Sequence, residues 1–255
     1  MLLKLSIFIG GLFVIGFFIV KNATNSPSGN SAERGFAVVE LFTSEGCSSC
    51  PPADKLIAKI AKEDEGKEVY ILSYHVDYWN QLGWKDRFSD AAYSNRQRQY
   101  ASWLHLNTVY TPQIVVNGKT EFVGSNEYAL NTAIDKSLHD SLTAKLTIAA
   151  KTENGKLKVH YETDDAAGGK NLVLALIQKS AETVVRAGEN DGLTLSHVQI
   201  VRKLTNESIK EKNGDVIIDW QNDQQKNAWE LIGFVQDKKD GKIIAATKHK
   251  LANEY

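Results

Sequence analysis

Cysteine is scarce in this chain: 255 residues contain two. That is too few for the disulfide-dense frameworks that staple small secreted domains. The two stand together as Cys47 and Cys50, and no second pair exists to complete a four-ligand structural zinc site. A surplus of either charge is also lacking. Thirty Lys and Arg against 31 Asp and Glu leave a net charge of −1, so no basic excess points to nucleic acid. No repeat of fixed period runs through the sequence. What is present is an ordinary hydrophobic share, 42%, enough to build real cores. The length exceeds the usual size of one domain, which predicts two folded units.

Lys4 precedes the uncharged run LSIFIGGLFVIGFFIV, Leu5 to Val20, and Lys21 ends it. A basic start followed by an apolar stretch is the pattern of a secretory signal. A small-x-small cleavage site is missing, and the 16-residue run is slightly short for a membrane span, although Leu2 and Leu3 extend it. Residues 1–22 therefore read as a signal peptide or an N-terminal membrane anchor. The protein is expected to be exported: periplasmic, secreted, or held to the membrane by this segment alone. The polar stretch over residues 23–34 reads as a flexible linker.

From there the pattern alternates. FAVVELF (Phe36–Phe42) and EVYILSYHV (Glu68–Val76) are short apolar, β-branched runs that predict strands. Leu56, Ile57 and Ile60 share a helical face, as do Ala92, Arg96, Tyr100 and Trp103 in a helix expected over about Ser89–Leu104. PQIVV and TEFVG flank Asn117-Gly118, the signal of a tight hairpin. Asn126 caps a last helix carrying Leu130, Ile134 and Leu138. The predicted order over residues 35–140 is β-α-β-α-β-β-α. Over residues 141–255 only strands are expected, about seven short runs separated by Gly, Asn and Asp, which predicts a β-sandwich.

The stretch LFTSEGCSSCPPAD holds both cysteines between the first strand and the first helix. A Cys-x-x-Cys in that place, inside a βαβ pattern, reads as a thioredoxin-like redox motif. A helix N-terminus favours thiolate over thiol. The thiolate attacks in disulfide exchange, and the second thiol resolves the mixed disulfide. No cofactor is needed, because the pair itself carries the electrons.

Further along, Thr111-Pro112 precedes the third strand, and here the chain resembles thioredoxins, in which a cis-proline faces the active cysteines. Glu40, in the first strand, resembles the buried carboxylate that assists their second cysteine, although it is Glu rather than Asp. ELFTSEGCSSCPPAD, HVDYWNQLGWKDRFS, TPQIVVNG and RAGENDGLTLSHVQIVRKL together resemble a secreted thioredoxin-like family, domain of unknown function 1223, from about Phe36 to the C-terminus. The resemblance implies an α/β thioredoxin-like domain followed by an all-β sandwich-like domain, and export. It further implies Cys47 as nucleophile, Cys50 as resolver, Pro112 beside them, and Glu40 as proton relay. Pro51 and Pro52, directly after Cys50, depart from the thioredoxin pattern, since proline suits only the first helical position.

The expected function is thiol–disulfide exchange with protein thiols or disulfides and a further redox partner. Thr111, Pro112, Trp79 and Trp84 are the candidate substrate groove, with Tyr78 and Phe88 in the same aromatic segment. Two other readings stand beside it. One is a copper- or metal-binding protein using Cys47, Cys50 and His75, with Asp77 and His105 as possible additions. The other is a non-catalytic interaction module whose Cys47–Cys50 disulfide is inert. Arg96 and Arg98 read as a solvated helix face, and His197, in the polar loop GENDGLTLSH, as a structural hydrogen-bonder.

Overall fold

The strand β1 (Ala37–Thr43) is buried along its whole length and so has two apolar neighbours, one per face. The computed structural model describes residues 35–153, 155–166, 168–220 and 228–251; the segments expected to be signal and linker lie outside them. After β1 come α1 (Pro51–Glu63), β2 (Val69–His75), a 3-10 turn (Asn80–Leu82), α2 (Ala91–Trp103), β3 (Gln113–Val116), β4 (Thr120–Val123) and α3 (Glu127–His139). The strands that follow among the described residues are β5 (Leu146–Glu153), β6 (Lys156–Thr163), β7 (Lys170–Val184), β8 (Thr194–Ser208), β9 (Asn213–Asp219), β10 (Trp229–Asp237) and β11 (Ile243–Lys250).

Local chemistry explains the boundaries. Two prolines open α1, where missing N–H groups cost nothing. Asp90 caps α2 by accepting from Ala92 N at 2.8 Å, and Asn126 caps α3 by accepting from Ala129 N at 3.0 Å. The β3–β4 hairpin turns on Asn117 and Gly118, both with positive φ. A Cβ on Gly118 would sit 1.9 Å from the carbonyl oxygen of Gly241, so only glycine fits there.

Eight strands form one mixed sheet in the order β11-β10-β7-β8-β2-β1-β3-β4, and β5-β6-β9 form a second. β1 runs parallel to β2, and β2 meets β8 in parallel through Ser73 and Ile200. On one face of the large sheet Val38, Phe42, Leu72 and Tyr74 pack with α2 residues Tyr93 and Tyr100, and with Val173, Ala175, Ile232 and Phe234 of the distant strands. On the other face α1 and α3 cover Val39, Leu41 and Ile71 with Leu56, Ile57, Leu130 and Ile134. The three-stranded sheet covers the rest of that face, closing Leu157, Val159 and Ile218 over Leu174, Leu176 and Leu231. Each such buried aliphatic side chain contributes about 1.5–3 kcal/mol.

The expected α/β thioredoxin-like domain followed by an all-β sandwich-like domain is therefore not the fold. The molecule is mostly β, with three α-helices among the described residues, and β7, β8, β10 and β11 extend the sheet that β1 to β4 begin. Local periodicity reports that a segment is a strand but not which strand it will join, so a sheet shared by both halves leaves no local signal. No described helix is long and apolar enough to cross a membrane.

Candidate functional site

The cysteines lie in the turn between β1 and α1, at the carboxyl ends of the parallel strands β1 and β2. Cys47 and Cys50 form a disulfide. Cys47 N donates to Ser44 O at 3.2 Å and Cys50 N to Cys47 O at 3.1 Å, which coils the loop into the helix. Cys50 is the residue before the helix proper and already has helical φ and ψ. Both cysteines are fully buried, whereas Ser48 and Ser49 between them are exposed.

The helix N-terminus is already consumed. Pro51 and Pro52 have no N–H, and the next two amides, Ala53 N and Asp54 N, both donate to Cys50 O, at 2.9 and 3.1 Å. Another donor reaches the sulfur instead. Thr111 Oγ1 donates to Cys47 Sγ at 3.3 Å, and Trp79 Nε1 donates to Thr111 Oγ1 at 2.8 Å. A donor chain of this kind favours a charged acceptor, so it favours Cys47 as thiolate once the bond is open. Ser49 Oγ also lies 3.4 Å from Cys47 Sγ and 3.4 Å from Thr111 O. The Thr111–Pro112 peptide is cis, and Pro112 is buried.

A second layer comes from far along the chain. Asn190 Nδ2 donates to Glu45 O at 2.8 Å and to Cys47 O at 3.0 Å, and Ser48 N donates to Glu189 Oε2 at 3.1 Å. The Ser48 side chain, together with that backbone bond, holds the Glu189 carboxyl below its usual range. Both residues belong to the loop between β7 and β8, so this loop is stitched to the cysteine turn.

Beneath the turn lies a buried cluster of acids and imidazoles. His75 Nδ1 donates to Asp86 Oδ2 at 2.6 Å, and Asp86 also accepts from Glu45 N and Phe88 N. Burial alone would raise the Asp86 carboxyl, but His75 and these amides bring it below the usual range. His197 Nε2 is 3.5 Å from Glu45 Oε1, and His197 Nδ1 is 3.9 Å from Asp54 Oδ1. Burial disfavours the charged imidazole, yet Asp54 and Glu45 outweigh it and push His197 up to about 9. The rings of His75 and His197 meet edge to face, 4.7 Å between centroids, with Phe88 against both.

The sequence-predicted residues distribute unevenly around this centre. Cys47, Cys50, Thr111 and Trp79 come together, and Trp84 joins through its Nε1 bond to Glu45 Oε2 at 2.7 Å. Glu40 does not. It lies on the α2 face of β1, opposite α1, where Arg96 donates to it at 2.5 and 3.0 Å and the Tyr100 hydroxyl also binds it. That pair is structural, and Arg96, 2% exposed, is no part of a solvated face; Arg98 is exposed. His75 is committed to Asp86, and His105 is exposed. Asp77 binds Ser94. Among the described residues no group of three or more His, Cys, Asp or Glu is arranged to hold a metal ion. Sequence reasoning missed Glu45, Asp54, Asp86 and Asn190. Each is a common residue, and its partner lies up to 145 positions away, so no spacing rule exposes it.

The sequence profile of a family described as "Protein of unknown function (DUF1223)" matches residues 38–236. A crystal structure of an Agrobacterium tumefaciens protein is similar at 26% identity and TM-score 0.66, covering 86% of this chain and 96% of that one. A domain of the outer membrane lipoprotein Omp28 from Porphyromonas gingivalis matches at 16% identity and TM-score 0.28, covering 44% of this chain and 92% of that one. A comparison with curated proteins finds no match.

Proposed function

We propose, from the premise that this chain belongs to the DUF1223 family, that it is an exported thiol–disulfide oxidoreductase acting on protein thiols. The observation that carries this reading is the Cys47–Cys50 bond with a donor chain, Trp79 to Thr111 to sulfur, aimed at one of its two atoms. A disulfide closing so small a loop removes little chain entropy, so stability does not account for it. A hydrogen bond to one sulfur distinguishes the two thiols, which exchange requires and an inert bridge does not. Cys47 is then the nucleophile and Cys50 the resolver, reached through the exposed Ser48–Ser49 turn. Export follows from the Lys4–Val20 pattern and agrees with a chain that keeps its two cysteines bonded. The membrane enters only through that segment.

One observation favours the inert alternative: both cysteines are fully buried, as unreactive cysteines usually are. Trapping separates the two. Cys50→Ser should accumulate mixed disulfides with exported proteins through Cys47, and Cys47→Ser should not. Equal trapping by both variants, or none by either, contradicts the proposal.

A further inference from the structure

Three ring nitrogens and a carboxylate oxygen are buried under the disulfide without a hydrogen-bond partner: His75 Nε2, both nitrogens of His197, and Glu45 Oε1. Burying such groups is costly. Their position is informative. Asp54 follows Cys50 by four residues, and Asp54 N makes the helical bond to Cys50 O, so both side chains lie on one helix face with Cβ atoms about 5–6 Å apart. Asp54 is itself buried, and its Oδ2 accepts from Thr43 Oγ1 at 3.2 Å. Its other oxygen faces His197, which β8 delivers from the far half of the chain.

We propose that Asp54 handles the proton of the Cys50 thiol, and that His197 is the positioning residue that supplies its charge. On the exchange chemistry proposed above, a substrate thiolate attacks Cys47 Sγ. A bond forms between the substrate sulfur and Cys47, the Cys47–Cys50 bond breaks, and its electron pair leaves on Cys50. Cys50 is fully buried, so that thiolate has no water to stabilise it. It takes a proton that the His197 imidazolium releases and the Asp54 carboxylate passes on, leaving His197 neutral. In the return step Cys50 gives the proton back, its thiolate attacks Cys47 Sγ of the mixed disulfide, and the substrate leaves as a thiolate. His197, pushed up to about 9, carries a proton at neutral pH, and a buried thiolate is a strong enough base to draw on it.

The charge environment of His197 is defined on every side. Glu45 approaches from the cysteine turn, Asp54 from α1, and His75 with Asp86 from β2 and its following loop. Phe88 closes the remaining side, with Arg87 and Arg202 over its ring at 4.6 and 5.2 Å. Glu40 has no part in this cluster, because Arg96 and Tyr100 hold it.

The test is the pH profile of Cys50 alkylation by iodoacetamide in the reduced full-length chain, with Cys47 and Cys50 distinguished by fragment-ion mass spectrometry. Asp54→Asn removes a negative charge beside Cys50 and should speed its alkylation at pH 7 by about tenfold. His197→Gln removes the positive charge and should slow it by a similar factor, while Cys47 moves less than Cys50 in both. Opposite shifts of this kind are not produced by loosened packing, which acts in one direction. Shifts in the same direction, or shifts below twofold in folded variants, overturn the proposal. Should His197→Gln not fold, Asp54→Glu takes its place: it keeps the charge, so Cys50 alkylation should stay within twofold of wild type while Asp54→Asn accelerates it, and equal acceleration by both variants overturns the proposal. Protein trapping does not enter this profile, so opposite shifts in a chain that traps no partner would sink only the exchange reading.

Discussion

The residue that best separates an active sulfur from an inert one is Thr111. Its hydroxyl lies between Trp79 Nε1 and Cys47 Sγ, receiving from one and giving to the other. A hydrogen bond to a charged acceptor is worth about 1.5–3 kcal/mol. Thr111→Val should therefore lower Cys47 alkylation at neutral pH by tenfold or more, with Trp79→Phe having a smaller effect in the same direction. Thr111-Pro112 was legible in the sequence; the donor chain was not, because Trp79 is 32 residues away. Glu40 teaches the opposite lesson. Strand alternation places Glu40 on the face of β1 that carries Val38 and Phe42, away from α1. Removing one partner of a buried pair costs about 3–5 kcal/mol. Glu40→Ala should accordingly lower the melting temperature strongly, while the alkylation rates of the reduced thiols stay within twofold of wild type. His197 gives a pH signature in the oxidised chain. Its pKa is raised on folding, from 6.5 to about 9, so its stabilisation is complete below 6.5 and is lost as the pH rises through 9. Thermal melts should show stability falling over that window in wild type and falling less in His197→Gln.

At the scale of elements, the decisive piece is the loop between β7 and β8. Gly188 and Gly192, both with positive φ, turn it so that Glu189 and Asn190 meet the cysteine turn. The sequence shows GENDGLTLSH as a polar loop and stops there, since its contacts cross more than 140 residues. By contrast α1, α2, α3, the β3–β4 hairpin and the seven later strands were legible, because caps, turn residues and periodicity are local signals. Asn190→Ala leaves the carbonyls of Glu45 and Cys47 without this donor, at a cost of about 1–3 kcal/mol. The cysteine turn should loosen, and the first-order rate of disulfide reduction by a water-soluble phosphine should rise several-fold. An unchanged rate would mean that the loop does not govern access to the sulfurs.

For the whole molecule, the division expected near residue 141 separates alternating elements from strands only, yet the packing crosses it. Val38 and Phe42 share a core with Val173 and Phe234, Arg96 donates to Gln236 at 3.1 Å, and Ile243 N donates to Asn117 O at 3.1 Å. No pattern within either half announces these contacts, since each half satisfies its own local rules. Trp79, Trp84 and Trp103 lie before the division and Trp220 and Trp229 after it. Tryptophan-to-phenylalanine variants that leave fluorophores on one side only should unfold at the same denaturant midpoint from either side. Two separated transitions would show independent halves.

The most direct measurement for the exchange reading is a redox titration of the purified chain against thiol–disulfide buffers, with Cys47 and Cys50 quantified by alkylation and mass. A working exchange centre should open and close reversibly in a single two-electron step between about −270 and −120 mV. A bond that stays closed to below about −300 mV, or thiols that do not reoxidise, would identify Cys47–Cys50 as a structural bridge and contradict the function proposed for it.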